Sequence, residues 1–208
     1  MLSKGQLAMS LALLVGFSAY LRPRELTGLL QSQLLGPQLV SQTLTAWCLL
    51  LHPSEGQQRS KSGHFDEGVR LDSSWSRWMS PFLEILMGPQ DARRLWPFEH
   101  HELVAAVKAA TATLRLEHMK PCLYSLRHGG ASHDAVTGAR TLEQIQHRGR
   151  WASNKSLLRY RKDSRAQLEL QRLGVKARTL GKAMELNLEN AFHDPRMCRQ
   201  LLEQFLNG

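Results

Sequence analysis

The sequence predicts a mainly α-helical domain with one small antiparallel β element, and three observations carry that expectation. Apolar residues recur at helical spacing along most of the chain, in stretches bounded by Pro, Gly and polar turns. Only two short runs read as strands, and they face each other across one polar connection. The length of 208 residues, with 42% hydrophobic and 22% charged residues, suffices for one well-cored domain and is tight for two.

Residues 4–20 read as a helix. The run Leu7 to Leu21 is apolar but too short to span a bilayer, which needs about 20 such residues. Ser10, Gly16 and Ser18 interrupt it and no cleavage site follows, so a buried first helix is expected rather than a signal peptide. Pro23 suits the first turn of a second helix, 23–31, because its missing N–H is tolerated there. Thr43 to Leu51 and Val69 to Leu71 are the strand candidates, joined by a long loop that carries Lys61. Further helices are expected over 75–87, 101–116, 124–136, 142–146 and 156–161. The tail, about 183–206, reads as helical, with Asp194 as cap and Pro195 in the first turn of a helix at 195–206. Its apolar stripe (Met197, Cys198, Leu201, Leu202, Phe205) is expected to pack on its own domain or to dock on a neighbouring copy.

The formal charge is +9. Ten basic residues between His147 and Arg178, against Asp163 and Glu169 alone, carry +8 of it. Arg148, Arg150, Lys155, Arg159, Arg161 and Lys162 are the densest part. Such a focus points to a polyanion, most simply double-stranded DNA, or else to a solvated helical face. The three cysteines, Cys48, Cys122 and Cys198, are scattered, which suits a reducing compartment and no structural zinc. His128 and His133 are five apart, the wrong spacing for a metal pair on one helix face, so no metal or other cofactor is expected.

Four short patterns occur in order. Leu21-Arg22-Pro23-Arg24-Glu25-Leu26 sets Arg22 three residues before Glu25, with Arg24 as a competitor for the same role. Arg59-Ser60-Lys61-Ser62-Gly63 lies in the hairpin loop. Tyr124-Ser125-Leu126-Arg127-His128 puts Tyr124 and Arg127 on one helix face. Gly149-Arg150-Trp151 is followed nine residues later by Tyr160.

Over residues 20–162 this order resembles the catalytic domain of the tyrosine recombinases, the phage-integrase family. The resemblance implies a single catalytic domain over 1–208 in which Arg22, Lys61, Tyr124, Arg127, Trp151 and Tyr160 are catalytic and Glu25 supports Arg22. It implies DNA cleavage and rejoining through a 3′-phosphotyrosyl link, self-association on DNA, and an intracellular location with the DNA, nuclear or nucleoid. Two residues depart from the pattern. Tyr124 stands where the family has His, exchanging an imidazole of pKa near ~6.5 for a phenol near ~10. Arg150 separates Gly149 from Trp151, an insertion or a register slip. The family's N-terminal DNA-clamp domain is also not seen ahead of the first box, which suggests a catalytic domain alone, a truncated element or a piece of something longer.

Metal-free phosphoryl transfer needs an in-line nucleophile, donors for the charge on phosphorus, and a proton for the leaving oxygen. Tyr160 suits the first, the forked guanidiniums of Arg22 and Arg127 the second, and Lys61 the third. Trp151 can donate its indole N–H to a phosphate oxygen. The alternatives are a non-catalytic DNA-binding remnant of a mobile element and a nicking-closing enzyme of the type IB topoisomerase kind.

Overall fold

The computed structural model describes residues 1–37, 45–54, 65–87, 93–153 and 163–207. They form a mainly helical domain with a small three-stranded antiparallel sheet. Helix α1 (Leu7–Ser18) is its central piece. Leu11, Ala12 and Val15 are buried and Leu7, Leu13 and Leu14 pack against the same core, which explains why its sequence is apolar on every side. Among the described residues no helix is long and apolar enough to cross a membrane. A turn at Tyr20 leads to α2 (Pro23–Gly28), shorter than the sequence predicts, with Pro23 at its first turn.

Strands β1 (Leu34–Leu35), β2 (Trp47–Leu51) and β3 (Glu67–Leu71) pair in that order. Register Trp47↔Leu71, Leu49↔Val69, Leu51↔Glu67 puts Trp47, Leu49, Leu51, Val69 and Leu71 on the buried face. The β2–β3 hairpin connection carries Lys61, which lies outside the described residues, and the sequence did not reveal the two-residue β1. The predicted helix over 75–87 divides into a 3₁₀ segment, Ser74–Met79, and α3 (Ser80–Leu86).

Helices α4 (His100–Thr113), α5 (Leu123–Val136) and α6 (Leu142–Gly149) follow. In α5 the buried residues are Leu123, Arg127, Gly130, Ala131 and Asp134, a single stripe at helical spacing. Gly130 lets this stripe close on α1, since a β-carbon there would lie 2.1 Å from the Phe17 carbonyl oxygen.

Four helices complete the chain: α7 (Asp163–Arg172), α8 (Val175–Leu186), α9 (Leu188–His193) and α10 (Pro195–Asn207). The Asp194 carboxylate caps α10, accepting from the Arg196 backbone N–H at 3.0 Å. Helix α10 packs on α8, α9 and the N-terminal turn Leu2–Lys4, and Arg199 donates to the Ser3 carbonyl at 3.2 Å. The tail helix therefore packs on its own domain. The helix expected over 156–161 lies outside the described residues.

Candidate active site

The site is assembled from three chain segments. At the start of α2, the Glu25 carboxylate reaches back to accept from the Arg22 backbone N–H (2.7 Å) and pairs with the Arg22 guanidinium (2.5 Å). The R-x-x-E spacing is thus a helix cap and an ion pair at once, and it selects Arg22 over Arg24. Trp96 locks the helix by donating its indole N–H to the Leu26 carbonyl at 2.8 Å.

Arg127 comes from the middle of the α5 stripe and is 1% exposed. Its guanidinium donates to the Tyr20 carbonyl (2.6 Å) and to the Gly149 carbonyl, so it ties the α1–α2 turn to the end of α6. Both turns contain a non-glycine residue in the left-handed region, Tyr20 at φ 50° and Arg150 at φ 51°. Such conformers cost about 1–2 kcal/mol each and persist only where the surroundings enforce them. The Nε of Arg127, like that of Arg150, is buried with no hydrogen-bond partner among the described residues.

The Gly149-Arg150-Trp151 turn explains its own sequence. Arg150 caps α6 in the left-handed conformation and folds the chain back, so that the Trp151 ring lies across Gly149. A β-carbon on residue 149 would sit 1.9 Å from that ring. The ring in turn lies against the Arg127 guanidinium, 4.5 Å from centroid to carbon. The extra residue between Gly149 and Trp151 also sends a second arginine inward. Arg150 pairs with Glu25 at 2.5 Å and with Glu67, the first residue of β3, at 3.4 Å.

Three guanidiniums thus gather around Glu25. Burial alone would raise the Glu25 carboxyl, but Arg150 and Arg22 outweigh it and hold the group below its ordinary value. Arg127 is drawn down to about 10, first by burial and then by Arg150 and Arg22. Arg150 is also lowered, chiefly by burial. With Glu25 and Glu67 as the carboxylates, the cluster holds one positive charge in excess among the described residues. Tyr124, 45% exposed, stands one turn before Arg127, close enough to bear on its charge, and packs edge-on against His128 at 4.8 Å.

A second polar network lies beside the first. Arg140 pairs with Asp72 (2.5 Å) and Asp134 (2.9 Å), and Arg148 pairs with Asp72 (3.0 Å). Tyr20 donates its hydroxyl to Asp134, and His133 lies 3.2 Å from the same carboxylate. Arg148 also donates to the Ser18 carbonyl at 2.7 Å. Arg148 and Arg150, expected to face DNA, are therefore turned inward, their side chains 7% and 6% exposed. Carboxylates supplied by distant segments, which no local charge count reveals, hold them there.

Of the sequence-predicted residues, Arg22, Glu25, Tyr124, Arg127, Arg150 and Trp151 are brought together, and Arg148 lies in the second network. Lys61, Lys155, Tyr160, Arg159, Arg161 and Lys162 lie outside the described residues. Sequence reasoning missed Glu67, His52 (3.7 Å from Glu25), Tyr20, Asp72, Asp134 and Arg140. The α5 stripe ending in Asp134 was the one local signal for any of them. Among the described residues no group of three or more His, Cys, Asp or Glu could hold a metal ion. Compared with family models, curated proteins and solved structures, the chain matches none.

Proposed function

We propose that this chain cleaves and rejoins DNA strands through a 3′-phosphotyrosyl intermediate, in the manner of a tyrosine recombinase. The observation that carries the reading is the convergence of Arg22, Arg127 and Arg150 on Glu25, with one cation in excess and a buried donor on Arg127 left over. Like charges in a dry site repel, and a phosphodiester anion relieves that repulsion while accepting forked hydrogen bonds. In this reading Arg22 and Arg127 stabilise the charge that develops on phosphorus. Tyr160 gives up its phenolic proton to water and attacks the phosphorus; its O–P bond forms, the bond to the 5′-oxygen breaks, and that oxygen leaves with a proton from Lys61. A 5′-hydroxyl reverses the step, so no cofactor is consumed. Tyr124 donates to a phosphate oxygen.

A specific observation favours a second reading, that of a DNA-binding module without turnover. Arg127 is enclosed behind Trp151, and a phenol at 124 is a poor base at neutral pH.

Trapping separates the two. The protein is incubated with a pool of random-sequence nicked duplexes in EDTA, and adducts that survive SDS are captured. A strand-transfer enzyme yields adducts from the wild-type chain and none from Tyr160→Phe, while both bind DNA. Binding without adducts supports the module, and adducts that persist in Tyr160→Phe contradict the assigned nucleophile. Recombination between two captured sites, against relaxation of supercoils alone, separates a recombinase from a nicking-closing enzyme.

A further inference from the structure

Arg150 is costly where it stands. It holds a left-handed backbone that glycine or asparagine would adopt more readily, and its buried charge is opposed by burial and by Arg22. A plain link between α6 and α2 could be made by apolar packing at lower cost. What the guanidinium adds is a fixed geometry for Glu25. One carboxylate oxygen is shared by Arg150 Nη2 (2.5 Å) and the Arg22 backbone N–H (2.7 Å), and the other holds Arg22 Nη1 (2.5 Å). Arg150 is itself anchored by the Arg148 carbonyl (3.2 Å) and by Glu67 of β3 (3.4 Å). A line of contacts therefore runs from the hairpin strand, ion-paired to Arg150, through the hydrogen-bonded Glu25 carboxylate to the Arg22 guanidinium, which remains the most exposed of the three, at 22%.

We infer that Arg150 is a positioning residue: acting through Glu25, it aims Arg22 at the substrate phosphate and couples the β2–β3 hairpin to that aim. This rests on the phosphoryl-transfer reading above, in which Arg22 contacts the phosphate and Arg150 does not. Its effect should then appear in the rate of adduct formation at saturating DNA and vanish when Arg22 is gone.

The test measures adduct formation on the nicked duplexes recovered by trapping, in four chains: wild type, Arg150→Gln, Arg22→Ala and the double variant. Arg150→Gln should slow the saturated rate by about 10²-fold, the scale of a misplaced reacting group, with half-saturating DNA changed by less than about 3-fold. In the Arg22→Ala background the same change should cost less than about 3-fold, because contacting residues are not additive. A duplex with a neutral methylphosphonate at the scissile position, which needs less positive charge, should narrow the gap between wild type and Arg150→Gln. Should Arg150→Gln fail to fold by circular dichroism, Arg150→Lys, which keeps the charge and loses the fork, takes its place. Equal slowing in both backgrounds, or none in either, overturns the inference while leaving the adduct chemistry intact. A wild-type chain that forms no adduct overturns the proposed function and this inference with it.

Discussion

Two buried ionic networks lie side by side in this domain, and they differ in balance. Around Asp72 and Asp134, two carboxylates meet two arginines, Asp72 serves both, and Tyr20 and His133 complete the ring. Around Glu25, three arginines converge from three segments, and the most buried of them, Arg127, bonds carbonyls instead of a carboxylate. Both are assembled from the same neighbourhood, the end of α1, the α5 stripe and α6. In the balanced network each arginine has a carboxylate to neutralise it, although Arg148 Nη2 there, like Arg127 Nε in the other, is buried with no hydrogen-bond partner among the described residues. An excess of buried positive charge is unfavourable, and an anion would relieve it, which is the ground on which we propose the Glu25 cluster as the site.

Breaking the balanced network should cost most. Asp134→Ala leaves Arg140 with one carboxylate and the Tyr20 hydroxyl with none, and should destabilise the fold by about 3–5 kcal/mol in chemical denaturation. Added phosphate should not restore it, since Asp72 still serves both arginines. The same network sets the acid limb of stability. Although burial opposes it, Asp134 and Asp72 are held below their ordinary values, by His133, Tyr20 and Arg140 for Asp134 and by Arg148 and Arg140 for Asp72. Depressed carboxyl groups lend stability that is complete above the unfolded pKa and is lost as pH falls through the folded one. The melting temperature should therefore drop from about pH 4 downward. His133, raised by its hydrogen bond to Asp134, has the opposite sign: its contribution is complete below about pH 6.5 and fades as pH rises through its higher folded value. Melting curves of Asp134→Ala across pH should be flatter at both ends.

Next comes the α1–α5 crossing on which both networks hang. Gly130→Ala drives a β-carbon to 2.1 Å from a backbone oxygen, which cannot swing aside, and should cost about 3 kcal/mol. Gly129→Ala meets only the edge of the Phe17 ring, at 3.2 Å, and should stay within about 1 kcal/mol of neutral.

Glu25→Gln sharpens the contrast. It should destabilise by about 2 kcal/mol in chloride, because Arg22 and Arg150 lose their shared carboxylate. Saturating inorganic phosphate at equal ionic strength should return most of that loss, whereas it should leave Asp134→Ala unmoved. Rescue of both variants, or of neither, would remove the distinction between the networks.

The smallest effect should lie farthest away. Leu202 of α10 lines an apolar cavity of about 490 Å³ together with Leu13, Val107 and Met184. Leu202→Asp should loosen the tail at a cost of about 1–2 kcal/mol, read by denaturation, and leave adduct formation unchanged.

How much of this the sequence revealed follows from what is local. The buried first helix, Pro23 at the start of α2, the β2–β3 hairpin and the capped tail were legible because each depends on neighbouring residues. Arg22 with Glu25, and Tyr124 with Arg127, were legible as spacings on one helix. The inward turn of Arg148 and Arg150 was not, because Asp72, Glu25 and Glu67 lie far off in sequence. A charge count gave the sign of the basic stretch and could not say which members point inward. The extra residue at Arg150, ambiguous on paper, has a physical role as a left-handed cap whose side chain reaches the site.

The most direct test of the central claim is a nuclear magnetic resonance titration that watches the arginine Nε–H signals while dimethyl phosphate, a minimal phosphodiester, is added. The account predicts that the signals of Arg127 and Arg22 shift together and saturate, while those of Arg140 and Arg148 stay fixed, and that Arg22→Ala abolishes the response at Arg127. Unmoved Arg127 and Arg22 signals, or equal shifts at Arg140 and Arg148, would contradict it.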